Sequence, residues 1–245
     1  PVIVSYDSPG GDDTRFGCGG KSHDAIRRGI DMLIWYDNRV ALNAALTNST
    51  YDFFDRHLVD FAVNHGVHEI GVVLDLDPSF YETRGSAAIT DKLWDVCDYG
   101  QSKGVVLTGY WHQIFQGLTA FDRYNASGYQ NCSAMGVQLS IEPSGAVFAC
   151  KASGAYFGHI LDIEEMLTSK IYRLYAMRAC RSPDSCLGCD IDHFCGGLCL
   201  GSIENRYGNI QAVESSACGV YRDLTRRFIL GTTARQVPAL ITSAV

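Results

Sequence analysis

The sequence predicts an α/β protein in which a parallel sheet is followed by a cysteine-rich segment. In the first part of the chain, short β-branched runs alternate with segments whose apolar residues recur at helical spacing. Such alternation implies βαβ units, whose strands pair in parallel. In the second part, seven cysteines with short, regular gaps lie between residues 132 and 218.

The individual elements follow from turn residues and apolar periodicity. Residues 2–6 predict a strand that ends in the turn sequence at 7–11, and Ser22 is the predicted N-cap of the first helix. The strand at 70–76 is nearly all apolar, which is typical of a strand buried on both faces. The remaining elements are a helix capped by Thr50, a helix at 89–103, and strands at 40–46 and 105–107.

Composition narrows the class of partner. The chain has 47% hydrophobic and 19% charged residues, as an ordinary globular protein does. A net charge of −7 leaves no basic patch to neutralise phosphates, so nucleic acid is not the expected partner. No apolar run approaches the length of a membrane span, so no membrane partner is expected either.

The cysteine spacing carries the strongest chemical signal. Residues 186–199 read C-x2-C-x5-C-x3-C, while Cys132 and Cys150 precede this run and Cys218 follows it. Disulfides are one interpretation, although 245 residues can bury a core without them. Zinc is another, but it takes four thiolates per site and seven is an awkward number. Iron–sulfur clusters are the third, because soft thiolates at short spacing suit them.

The arrangement resembles the seven-cysteine motif of the SPASM domain, the C-terminal extension of many radical S-adenosylmethionine (SAM) enzymes. Residues 141–145 resemble the family's I-x-P-x-G strand and turn, and residues 157–162 resemble its segment before a short helix. Residues 195–199 resemble its C-G-G-x-C. The resemblance implies two auxiliary [4Fe-4S] clusters. The first would be held by Cys132, Cys150 and Cys199, and the second by Cys186, Cys189, Cys195 and Cys218.

The first of these clusters would lack one protein ligand. Three candidates for the open position are Asp122, Cys180 and a substrate atom bound directly to iron. His193 lies inside the cysteine run and is expected to donate a hydrogen bond to sulfur instead of binding iron.

The first half of the chain resembles the radical SAM fold, a partial (β/α) barrel. Residues 5–9 resemble the family's S-x-D-G-P, and Arg15 with residues 19–22 resembles the R and G-x-G-S that follow. In barrels, functional groups gather at the carboxyl ends of strands. The candidates for contact with SAM are therefore Ser5, Asp7, Arg15, Asn43 and Thr47.

The sequence contains no C-x3-C-x2-C loop, which in this family holds the third [4Fe-4S] cluster that chelates SAM. We therefore interpret the chain as the C-terminal part of a longer enzyme, and expect this part alone to be inactive. The predicted domains are the C-terminal half of a partial barrel at 1–121, a small α+β SPASM domain at 122–231 and a tail at 232–245.

The resemblance implies a cytoplasmic enzyme that takes a hydrogen atom from a peptide or protein by way of a 5′-deoxyadenosyl radical. It implies a maturase of ribosomally made peptides that forms a thioether or carbon–carbon crosslink, with flavodoxin or ferredoxin as reductant. The alternative within the family is an oxidase that makes formylglycine, as anaerobic sulfatase maturases do. The alternative of another class is a zinc module that binds a protein. Trp111 is expected in the core, with stacking on substrate as its other possible role.

Overall fold

A computed structural model describes residues 1–8, 22–119, 132, 134, 136, 138–178, 183–192, 194, 195 and 197–234. The chain divides into two compact units, Pro1–Tyr110 and Trp111–Val245. The predicted domain boundary between residues 121 and 122 lies outside the described residues, so the three predicted domains stay predictions.

The first unit is built on a four-stranded parallel sheet with strand order β1-β2-β3-β4. Its strands are β1 at Val2–Ser5, β2 at Val40–Leu46, β3 at Glu69–Leu74 and β4 at Val106–Thr108. Each strand is joined to the next through helix, which confirms the α/β class. The predicted strand at 40–46 matches β2 residue for residue, and the others end within two residues of their predicted limits.

The helices of this unit are α1 at Ser22–Trp35, α2 at Arg56–Asn64, α3 at Pro78–Arg84 and α4 at Ser86–Ser102. The predicted cap of the second helix was wrong. Asp55 caps α2, accepting a 2.9 Å hydrogen bond from the His57 amide. The Thr50 hydroxyl instead donates to the Ala45 carbonyl at 2.5 Å and so closes the turn after β2.

The two faces of the sheet differ in burial. Leu42, Ala44 and Leu46 of β2 are buried, as are Ile70 and Val72 of β3. On the other face, Asn43 is half-buried and Val73 is exposed, although Ala41 is buried. Apolar burial on one face stabilises the sheet and leaves the opposite face with room for polar and small side chains.

Helix α5 spans Tyr110–Thr119, and the second unit begins at its second residue, Trp111. This unit contains an antiparallel three-stranded sheet. Its strands are β5 at Ser140–Ile141, β6 at Ala146–Phe148 and β7 at Tyr156–His159. The turn between β5 and β6 is closed by the Gly145 amide, which donates to the Glu142 carbonyl at 2.8 Å. The further helices are α6 at Ile163–Thr168, α7 at Lys170–Arg178, α8 at Leu200–Tyr207 and α9 at Ser215–Ala234.

Within the described residues, no helix is both long and apolar enough to span a membrane.

Candidate metal centres

A first group of thiols forms around the core of the second unit. Cys132 and Cys150 both pack against a core that includes Val147, Phe157 and Leu200. Cys150 follows β6, and its sulfur accepts a 3.4 Å hydrogen bond from the Ala152 amide. Because Leu200 belongs to the same core, its neighbour Cys199 is brought to the same side of the unit.

Close contact between α8 and the loop after β6 brings Cys199 and Cys150 together. A Cβ atom on Gly201 would lie 2.8 Å from the backbone carbon and oxygen of Ala152, so no larger residue fits there without movement. The Asn205 amide donates to the same Ala152 carbonyl at 2.6 Å. A hydrogen bond from the Ser153 hydroxyl to Glu204 adds a third contact between α8 and this loop.

Cys199 is the N-cap of α8 and lies at the helix end that favours negative charge. Burial raises the pKa of the Cys199 thiol, and the nearby backbone amides of Ser202 and Gly201 lower it. The thiols of Cys132 and Cys150 raise this pKa further. Two cysteines of the first predicted set therefore act electrostatically on the third.

A second group of thiols lies on a run of successive turns. The Cys189 amide donates to the Cys186 carbonyl at 3.0 Å, and the Cys195 amide donates to the Ile191 carbonyl at 3.0 Å. Cys218 lies in the first turn of α9. Burial raises the pKa of Cys195 to about 12, and the thiols of Cys218, Cys186 and Cys189 contribute in the same direction. These four cysteines are the second predicted set.

The donor chemistry of both groups fits iron–sulfur clusters. All seven cysteines are free thiols and all are partly exposed. Among the described residues, no three His, Cys, Asp or Glu side chains are arranged to hold a single metal ion. Thiolates at short spacing are the ligands that iron–sulfur clusters use, and zinc binds thiolates as well.

The candidates for the remaining ligand position lie outside the described residues. These are Asp122 and Cys180, together with His193, the predicted hydrogen-bond donor to sulfur. Their roles stay predictions.

A row of polar and small residues crosses the more exposed face of the parallel sheet. Ser5 pairs in register with Asn43, Asn43 with Gly71, and Gly71 with Thr108. Registered neighbours in a parallel sheet project from the same face. The missing side chain of Gly71 makes room for Asn43, since a Cβ there would lie 2.8 Å from Asn43 Oδ1. The sheet thus brings two of the predicted SAM contacts, Ser5 and Asn43, onto one face.

Asp7 has a structural contact of its own. Its side chain is 4% exposed and its Oδ1 accepts a 2.6 Å hydrogen bond from the Ala45 amide, which extends the pairing of β1 with β2 beyond Ser5. Thr47 is engaged in the turn after β2, where its hydroxyl lies 2.9 Å from the Ser49 hydroxyl. Arg15 lies outside the described residues. The predicted contacts of these three with SAM stay predictions.

Three residues near these sites were not predicted from the sequence. Thr108 completes the polar row, Gly201 permits the contact of α8 with Ala152, and Arg178 lies beside both thiol groups. The sequence does contain a signal for Gly201: a glycine inside a helix, two positions after a predicted ligand, indicates close packing. The other two positions depend on strand register and tertiary packing, which the local pattern does not contain.

Comparison with known proteins identifies the family. No family model matches the chain. Among curated proteins, the radical SAM cyclopropyl synthase TigE of Paramaledivibacter caminithermalis is 42% identical over 232 residues, which cover 94% of this chain and 48% of that protein. This chain belongs to the radical SAM enzymes. It spans about half the length of this curated relative.

Solved structures of radical SAM enzymes share the fold of the chain. Native anSMEcpe with bound AdoMet superposes with a TM-score of 0.73 at 16% identity, covering 96% of this chain and 68% of that one. The same enzyme with AdoMet and the Kp18Cys peptide gives a TM-score of 0.68 at 15% identity, with 96% and 69% covered. This likeness confirms the predicted fold class, a partial radical SAM-type barrel followed by a cysteine-rich extension.

Replacing Gly201 by a larger residue should remove the cluster held by the first thiol group and leave the other cluster in place. In Gly201→Val, the new side chain meets the Ala152 backbone and separates Cys199 from Cys150, so we expect the loss of about four irons per chain, those of one cluster. Ser202→Ala on the same helix is the matched control, because it changes a side chain in the first turn of α8 and leaves the contact of Gly201 with Ala152 unchanged. Iron and sulfide analysis with electron paramagnetic resonance measures the effect. An unchanged iron content in Gly201→Val would contradict this role of the close contact.

Proposed function

We propose that this chain is the C-terminal part of a radical SAM enzyme that modifies a peptide or protein substrate. Two auxiliary [4Fe-4S] clusters would be held by its SPASM-type domain, and a third cluster with SAM by the full-length protein. The observation that supports the proposal is that Cys218, Cys186 and Cys189 act electrostatically on Cys195, whereas Cys132 and Cys150 act on Cys199. These are the two ligand sets that the sequence motif implies.

When bound, SAM and its cluster supply a 5′-deoxyadenosyl radical that takes a hydrogen atom from the substrate, and the auxiliary clusters take up an electron or bind the substrate. The residues of this chain hold and tune these groups. Cys199 lies at the amino end of α8, which favours a thiolate, and the Cys150 sulfur accepts a hydrogen bond from the Ala152 amide. Ser5 and Asn43 offer polar groups on the face of the sheet where we propose that SAM binds.

Among peptide modifications we favour a maturase of ribosomally made peptides that forms a crosslink. The curated relative is named as a cyclopropyl synthase, and closing a cyclopropyl ring requires a new carbon–carbon bond. This favours carbon–carbon bond formation over a thioether. We further propose that the enzyme works in the cytoplasm with flavodoxin or ferredoxin as reductant.

A formylglycine-forming oxidase is the second candidate. The solved structures that share the fold include anSMEcpe with bound peptides. Their identity to this chain is 14–16%, whereas that of the synthase is 42%. We therefore rank this activity below crosslink formation.

Anaerobic purification and reconstitution test the proposal. A chain with two four-iron clusters should bind about eight irons and a matching amount of acid-labile sulfide. The full-length protein, with the additional cluster, should then convert SAM to 5′-deoxyadenosine. Stoichiometric zinc without sulfide would instead support the zinc module and overturn the proposal.

A further inference from the structure

One buried cation lies beside both groups of thiols. Arg178 is the last residue of α7 and is 3% exposed. Its Nε donates a 3.0 Å hydrogen bond to the Ile210 carbonyl, which fixes the start of the guanidinium group in the core of the second unit. A charged group at such a position needs opposite charge close by, because burial disfavours the charged form.

The loop between Cys195 and Cys199 passes close to this guanidinium at Gly197. Gly197 lies between Cys195 of the second group and Cys199 of the first, and a Cβ on it would lie 2.7 Å from Arg178 Nη2. Gly197 and Leu198 have φ values of +86° and +74°, so the backbone takes two successive left-handed steps here. Leu198 rarely takes such a value unless its surroundings impose it.

The thiols of both groups act on Arg178. Burial lowers the pKa of the guanidinium, and the thiolates of Cys186, Cys195 and Cys132 oppose that effect. Cys186 and Cys195 belong to the second group and Cys132 to the first. Arginine stays protonated throughout the physiological range, so it provides a permanent positive charge between the two groups.

We propose that Arg178 is a positioning residue shared by the two auxiliary clusters, whose charge raises the reduction potential of both. This rests on the proposed function, since it presupposes two clusters. Thiolate-bound iron–sulfur clusters carry net negative charge, and each becomes more negative on reduction. A fixed cation in a poorly solvated position therefore favours the reduced form of each. A single residue would thus raise the reduction potentials of both clusters at the same time.

Charge removal in the holoenzyme tests the inference. At a fixed applied potential, Arg178→Gln should lower the ratio of reduced to oxidised cluster at least tenfold in both auxiliary clusters, which is 59 mV for a one-electron couple. Arg178→Lys keeps the charge and should stay within about threefold of the unmutated protein. Redox titration followed by electron paramagnetic resonance measures these ratios.

Arg173→Gln is the matched control, because it removes the same charge from the same helix, α7. The Arg173 side chain is exposed, so solvent and salt screen it and the potentials should not change. If the Arg178→Gln protein does not bind clusters, the Gly197→Ala variant is used to test the inference instead. It pushes the guanidinium aside and also strains the loop, because φ at Gly197 is +86°. In protein that keeps its full iron content, both ratios should fall by about threefold.

The outcomes separate the two proposals. If the unmutated protein binds neither iron nor sulfide, the proposed function is wrong. With clusters present, unchanged potentials in Arg178→Gln would overturn the inference, as would reduced iron content with unchanged potentials in the clusters that remain. A shift in one cluster only would contradict the shared role.

Discussion

Replacing Cys195 by alanine should abolish the spectrum of one auxiliary cluster and leave the other intact, whereas Cys199→Ala should do the reverse. The two cysteines are four positions apart, yet the structure associates them with different partners. Cys195 interacts with Cys218, Cys186 and Cys189, and Cys199 with Cys132 and Cys150. Each substitution should reduce the iron content from about eight to about four.

Substitutions of more distant ligands provide the matched controls. Cys189→Ala should reproduce the spectrum of Cys195→Ala, and Cys150→Ala that of Cys199→Ala. Each loss should also lower the stability of the unit, because metal binding by such loops contributes folding free energy. Cys97→Ala should leave both clusters unchanged, since this thiol lies on α4 of the first unit. If Cys195→Ala and Cys199→Ala lose the same signal, the assignment of ligands to two groups is wrong.

Local sequence predicted the strands well because the apolar pattern reports burial directly. The run at 40–46 is a strand in which Leu42, Ala44 and Leu46 face the core, as its spacing indicates. The cap of α2 was missed because two hydroxyl or carboxyl residues competed for it. Thr50 bonds to the Ala45 carbonyl, and Asp55, closer to the apolar run, takes the helix amide. Helix α3, with Asp77 as its N-cap, was not predicted at all.

For the candidate sites too, some features could be predicted from local sequence, while others depend on tertiary structure. The cysteine spacing was sufficient to propose two ligand sets, because short gaps between thiols restrict which ones can meet. It gave no indication of Arg178, which is separated by 32 residues from Ile210, its carbonyl partner. The row from Ser5 to Thr108 likewise depends on the register of four strands, which no single strand specifies.

Acid should destabilise the second unit through His112. This residue of α5 is 3% exposed and lies among Trp111, Phe115 and Phe228. Its buried Nδ1 has no hydrogen-bond partner in the part of the chain that the structure describes. Burial lowers its pKa from 6.5 to about 4, because the apolar surroundings disfavour the imidazolium ion. Between these two values the unfolded chain binds a proton that the folded chain does not. The free energy of unfolding should therefore fall as the pH drops from 6.5 towards 4.

A difference of 2.5 between the folded and unfolded pKa corresponds to a loss of about 3 kcal/mol over this range. His112→Phe keeps an aromatic ring against Phe228 but cannot bind a proton, so its stability should decline less in acid by that amount. Urea unfolding of both proteins in the same cluster-loading state, from pH 7 to pH 4.5, measures the difference. Comparing the two slopes cancels acid effects on the clusters, which both proteins share. Parallel slopes would show that His112 takes up its proton at the same pH in the folded and the unfolded chain, so that burial does not lower its pKa.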